Sequence, residues 1–247
     1  MKLRVDVPAK RLAVEGDSEP NNPLQNKAKT TARPLILPGT AARVQGDHVH
    51  LDAGTHPARL HPKAILVADG IGGSSLRDCP WAAWRVAPAS RLGAGAILDH
   101  APADLPEGVI AMHVALEGYA GLVRLPGGGA CVAMAADAKP LSAGLGLPRL
   151  AERILLQTGA DPACLQGSAW RGTAALTRRR PLLDHGRVLI LGDAAGYVEP
   201  FTGEGMTWAL QSALEAEPFA LALLQGSATP GAWTRAHSRM LRPRRLT

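Results

Sequence analysis

The sequence predicts an α/β fold with a mixed sheet, on three observations. Residues 187–191 are a short run of Val, Leu and Ile that reads as a strand buried on both faces, and it feeds a Gly-Asp turn and then a glycine-opened helix. Residues 65–68 are a second apolar run, ending in Asp69-Gly70. Between them, residues 78–177 carry further strand-like runs broken by Gly and Pro, which reads as a β-region inserted into the α/β framework. Ligands of open α/β sheets sit beyond the carboxyl ends of the strands. Strands 65–68 and 188–191 should therefore share a sheet and present Asp69 and Asp193 at one edge.

Taken along the chain, residues 1–34 are rich in Pro, Asn, Lys and Thr, show no sustained period, and read as a weakly ordered leader. No apolar run of the secretory kind follows the basic start, and Asp6, Glu15, Asp17 and Glu19 argue against a transit peptide. Residues 35–77 read as short strands at 35–37, 42–44, 49–51 and 58–60, then strand 65–68 and a Gly-rich turn with Gly72, Gly73, Ser74, Ser75 and Arg77. That turn is either a plain surface loop or a ligand contact. In residues 78–177, strands are expected at 109–114, 118–125 and 130–135, forming a β-sheet floor. Trp81, Trp84 and Tyr119 are candidates to line a substrate pocket, with ordinary core packing as the alternative.

Residues 178–247 open on Arg178-Arg179-Arg180, which reads as a loop of solvated arginines. Strand 187–191 ends at Gly192, Asp193 offers a carboxylate, and Ala194, Ala195 and Gly196 are small enough for a ligand to reach the backbone. Pro200 and Gly203-Glu204-Gly205 make a turn before a helix that opens near Met206. The first N–H groups of a helix lack internal partners and attract negative charge, so this order suits a dinucleotide. The plain alternative is a strand, turn and helix with a solvated Asp cap. The end of the chain, 239–247, is a solvated basic segment or an anion-binding tail.

Composition sets the bounds. The chain has 247 residues, 46% of them hydrophobic, enough for one large domain or two small ones. Aromatic residues are only 4% while Ala, Gly, Arg and Pro abound, so the net charge of +6 reflects compositional bias more than a partner. The arginine run has no interleaved aromatics, and no nucleic-acid partner is expected. No apolar segment reaches transmembrane length. Cys79, Cys131 and Cys164 form no CxxC pair and have no nearby His pair at metal spacing, so no metal is assigned and a reducing, cytoplasmic setting fits. His100, His113 and His185 are isolated, and no catalytic triad or carboxylate pair emerges; no catalytic residue is assigned.

Gly192-Asp193-Ala194-Ala195-Gly196, Pro200, Thr202-Gly203-Glu204-Gly205-Met206 and Ala209-Leu210 together resemble the second FAD fingerprint of the para-hydroxybenzoate hydroxylase and geranylgeranyl reductase superfamily. Asp69-Gly70 with Ser74 and Arg77 resembles that superfamily's Asp-Gly motif, with Ser74 and Arg77 one residue late. The resemblance implies a partial FAD-binding, Rossmann-like domain with an inserted mixed β-sheet substrate region. It implies cofactor contacts at Asp69, Gly70, Gly192, Asp193, Ala194, Pro200, Gly203, Glu204, Gly205 and Met206, with Asp193 on the ribityl chain and Gly205 and Met206 beside the isoalloxazine. NADH or NADPH would supply electrons for hydroxylation or double-bond reduction of a small, apolar or aromatic substrate. Gly118-Tyr119 and Leu125-Pro126 resemble a reductase string, yet Gly121 stands where that string carries Trp and the Pro comes two positions late. Some enzymes of the superfamily act on membrane lipids, so peripheral membrane contact stays open.

The superfamily's amino-terminal Gly-x-Gly-x-x-Gly unit has no counterpart here. Gly93-x-Gly95, Gly144-x-Gly146 and Gly203-x-Gly205 do not complete the triplet. The expectation is a chain truncated relative to that superfamily, which leaves three readings: a flavoenzyme, a non-catalytic remnant, or a ligand-binding module without FAD.

Overall fold

The computed structural model describes residues 37–52, 58–199, 201 and 203–240. The expected leader 1–34, Pro200, Thr202 and the basic tail from 241 lie outside the described residues.

The first strands, β1 (Ala41–Gln45), β2 (His48–Asp52) and β3 (Ala58–Leu60), form an antiparallel meander. Gln45 pairs with His48 across the two-residue turn Gly46-Asp47, and Gly46 takes φ 62°, the left-handed conformation that a glycine-first hairpin turn needs. Of the expected strand 35–37, only Leu37 is described, and it is exposed and outside any strand. Next come β4 (Ile65–Val67) and the two-residue β5 (Arg85–Val86).

The inserted region contains β6 (Leu92–Leu98), β7 (Ile110–Ala115), β8 (Gly118–Arg124) and β9 (Ala130–Ala136), then α1 (Ala138–Ser142), α2 (Leu147–Gln157) and β10 (Arg171–Ala175). Its five strands pair in the order β10-β6-β9-β8-β7, antiparallel throughout. The expected strands at 109–114, 118–125 and 130–135 are β7, β8 and β9. Sequence reading did not anticipate β6, β10 or α2. Leu150, Ala151, Ile154 and Leu155 of α2 recur at helical spacing and are buried against this sheet, with Ala120, Leu122, Val132 and Met134 beneath them.

The remaining elements are β11 (Arg178–Arg179), β12 (Asp184–His185), β13 (Val188–Ile190), β14 (Gly196–Tyr197), α3 (Gly205–Leu224) and α4 (Ala232–Met240). The mixed pairing lies here: β13 is parallel to β4 and antiparallel to β12. Val188, Leu189 and Ile190 are all buried, as a strand covered on both faces requires. Trp233 of α4 is 1% exposed, and its indole N–H donates to the Ile190 carbonyl at 2.9 Å, fixing α4 on β13. This second core is separate from that of the five-stranded sheet.

Candidate cofactor edge

The register of the parallel pair sets the geometry. Ile65 lies opposite Val188 and Val67 opposite Ile190, and the Leu191 N–H donates to the Val67 carbonyl at 2.8 Å. The chain thus leaves both strands at the same carboxyl edge, with Asp69 two residues beyond Val67 and Asp193 three beyond Ile190.

Each turn is locked from within. The Asp69 carboxylate accepts the Ser75 N–H at 2.9 Å, and Gly70 at φ 74° lets its carbonyl accept the Gly73 N–H at 3.2 Å. Gly192 takes φ 54°, and its N–H donates to Ser212 Oγ of α3 at 3.0 Å. A Cβ built on Gly192 would lie 3.4 Å from the Ala209 side chain, so the turn rests on the helix. Ala194 and Ala195 are buried beneath it. Tyr197 stands next to this turn, where burial and then the Asp193 and Glu199 carboxylates raise its pKa.

Helix α3 opens at this edge. Gly203 has φ 79°, and Glu204 is the N-cap residue, whose side chain makes no capping hydrogen bond. Met206 is 81% exposed, and a Cβ on Gly205 would sit 3.9 Å from the Tyr197 ring.

One side chain ties the two turns together, and sequence reading misplaced it. Arg180 is not in a solvated loop; it is 5% exposed, and Arg178 is 9% exposed. They are two positions apart on an extended segment, so both project to one face, and Cζ of each lies over the Trp84 ring, at 4.0 Å for Arg180 and 4.7 Å for Arg178. Arg180 Nε donates to the Ala194 carbonyl at 2.8 Å, and Nη1 donates to the Ala82 carbonyl. Its guanidinium also faces Asp69, and Nη2 is 2.8 Å from where a Gly73 Cβ would stand. Burial pushes the pKa of both arginines down.

Among the described residues, four buried polar positions here have no hydrogen-bond partner: Arg178 Nε and Nη2, Arg180 Nη2 and Ser75 Oγ. Buried donors without acceptors cost stability, more so when charged. A ligand bearing anionic or carbonyl oxygens would satisfy them, which is the chemistry a flavin dinucleotide carries. The available signal was the strand period: alternate arginines in an extended run share a face.

The three aromatic candidates have separate surroundings. Trp84 is the platform for the two arginines. Trp81 stacks on His185, centroids 4.9 Å apart, and packs against the core of the parallel pair. Tyr119, on β8, meets Phe201 edge to face at 5.0 Å. Burial, then the Glu199 carboxylate, raises the Tyr119 pKa strongly. Arg91 reaches Glu199 at 3.0 Å and Asp137 at 3.3 Å, linking the inserted sheet to the segment after Asp193. Arg91 and Glu199 were not among the sequence candidates; they are far apart in sequence and nothing local pairs them. A cavity of about 350 Å³ lies elsewhere, against Asp184, Leu189, Phe219, Leu223 and Trp233. None of the candidate cofactor residues lines it.

No protein-family profile matches the chain, and no curated protein matches it. Solved structures do. The myxobacterial chondrochloren halogenase CndH, described as a variant of FAD-dependent halogenases, aligns with TM-score 0.63 and 14% identity, over 82% of this chain and 50% of its own. CabE, an aromatic hydroxylase from angucycline biosynthesis, aligns with TM-score 0.58 and 22% identity, over 84% of this chain and 44% of its own. The halogenase PltM, solved in complex with FAD, aligns with TM-score 0.58 and 14% identity, over 80% of this chain and 44% of its own. The chain therefore has the α/β fold of flavin-dependent monooxygenases and halogenases, and it spans half or less of these neighbours' length.

Proposed function

We propose that this chain supplies the Asp-Gly and Gly-Asp sides of an FAD site in an oxidoreductase, a monooxygenase or reductase that uses NADH or NADPH. The observation that carries this reading is the parallel pairing of β4 and β13, which brings Asp69, Asp193 and the start of α3 to one sheet edge. A bound FAD would supply the redox chemistry, with NADH or NADPH as the hydride source, while the protein would supply orientation and electrostatics.

The residues present fit that group. Asp69 and Asp193 offer carboxylates to ribose or ribityl hydroxyls. Gly70, Gly192, Ala194, Gly203, Glu204 and Gly205 allow close backbone approach, and Met206 offers an apolar contact. Arg178 and Arg180 present the partnerless N–H groups to phosphate or carbonyl oxygens. Trp84 holds both guanidinium planes. Tyr119 and Phe201, with Arg91 clamping Glu199, form the wall for a small apolar or aromatic substrate. Trp81, stacked on His185, serves the core of that framework.

The test is retention of flavin. The chain is incubated with excess FAD, desalted, and its visible spectrum recorded. The reading predicts retained absorbance near 450 nm, the approximate flavin band, that is lost in Asp193→Ala. A colourless chain that still binds NADPH would favour the ligand-binding reading, because the unpartnered arginines suit any dinucleotide phosphate. A colourless chain that binds neither would favour the non-catalytic remnant.

A further inference from the structure

The β1–β3 meander gathers a set of ligand atoms that no sequence motif announces. Asp47 is in the β1–β2 turn, His48 opens β2, and His61 follows the last residue of β3. His48 and His50 alternate along β2, and Arg43 and Arg59 lie opposite His50 in β1 and β3, so cross-strand register puts these side chains on one face. One ligand atom from each of Asp47, His48 and His61 falls within 4.8 Å of the others. The separations are 3.2 Å from Asp47 Oδ1 to His48 Nδ1 and 3.9 Å from Asp47 Oδ2 to His61 Nδ1. Zinc bonds of about 2.0–2.2 Å put tetrahedral ligand atoms roughly 3.4 Å apart.

The hydrogen bonds orient the set. Arg59 Nη2 can only donate, so His50 Nε2, 3.4 Å away, is an acceptor. His48 Nε2, 3.2 Å from that same His50 nitrogen, must then be the donor. His48 Nδ1 is then turned to the Asp47 carboxylate, 3.2 Å from Oδ1, in a hydrogen bond. That hydrogen bond, with His61 Nδ1 beside the other carboxylate oxygen, brings three ligand atoms of the kinds a late transition ion takes within reach of one another.

We propose that Asp47, His48 and His61 bind a divalent late first-row transition ion, with His50 as the outer partner that fixes the His48 tautomer. Two imidazoles and a carboxylate match the preferences of zinc, nickel and copper, and three protein ligands leave a position for water. Arg43 and Arg59, opposite His50 on the same face, place positive charge beside the set and moderate its affinity for a cation. A bound ion would clip the β1–β2 turn to the end of β3.

The test uses the tag-free, chelator-stripped full chain titrated with zinc chloride by calorimetry, with a melting curve as a second readout. One equivalent should bind and raise Tm, and copper should bind more tightly than zinc. His48→Ala and His61→Gln should each weaken binding at least tenfold, and His50→Ala about tenfold, as loss of an outer partner does. His100→Ala, a loop histidine elsewhere, should change nothing. His61 is exposed and outside the strand, so its variant keeps the test sound if His48→Ala fails to fold. Absence of saturable binding, or binding unchanged in His61→Gln, would overturn the proposal.

Discussion

Arg178 and Arg180 share a platform but carry different burdens. Arg180 satisfies the buried carbonyls of Ala82 and Ala194, one on each side of the cofactor edge. Arg178 has Nε and Nη2 buried without an acceptor. Removing the first leaves carbonyls orphaned, whereas removing the second relieves an uncompensated burial. Arg180→Met should therefore cost about 2–4 kcal/mol in urea unfolding. Arg178→Met should be neutral within about 1 kcal/mol, or stabilising, yet weaken FAD or NADPH binding about tenfold, the equivalent of about 1.4 kcal/mol. Equal destabilisation by both variants would contradict the division of roles. Asp69, Gly70, Gly192 and Asp193 were legible in the sequence because special turns need special residues. The arginines were not, because a run of three charges looks solvated until the strand period sorts it into faces.

At the scale of elements, strands bounded by turn residues were readable, β8 among them despite its two glycines, whereas β6 was not. In β6, Gly93 and Gly95 blur the apolar pattern, yet each is required by close packing: a Cβ would stand 2.6 Å from Thr173 Oγ1 or 2.9 Å from the Val132 carbonyl. Helix α2 had a clear spacing of apolar residues, and its meaning depended on the sheet it covers. Among the contacts that join them, His113 Nδ1 of β7 lies 2.9 Å from Thr158 Oγ1 at the end of α2, where that hydroxyl already donates to the Leu155 carbonyl, so the imidazole is the donor. Burial lowers the His113 pKa, partly offset by Asp104. The unfolded chain thus binds this proton more readily, at the ordinary value of about 6.5. The sign follows: the stability tied to neutral His113 is complete above that value and is lost as pH falls through it, levelling off below the folded pKa. Melting curves should show a drop on acidification through pH 6.5 that is smaller in His113→Gln; an unchanged drop would assign it to other groups.

For the whole molecule, the decisive information is non-local. Two cores, one under α2 and one between β13, α3 and α4, meet where Arg91 of the inserted region reaches Glu199 and where the Thr177 N–H donates to Ser90 Oγ at 2.8 Å. The resemblance of both motifs to one superfamily's FAD fingerprints implied that strands 65–68 and 188–191 belong together, each ending in a Gly and Asp pair. It could not indicate that the inserted region is antiparallel throughout, nor that Arg180 bridges the two turns, because both depend on pairing across long stretches of chain. The central claim is that one sheet edge, made by both turns and the start of α3, receives the flavin. Amide hydrogen exchange with and without FAD tests it most directly. The account predicts added protection confined to residues 69–75, 192–197 and 203–208 together, lost in Asp193→Ala. Protection at only one of these segments, or only around Trp233 and the cavity beside it, would contradict a shared cofactor edge.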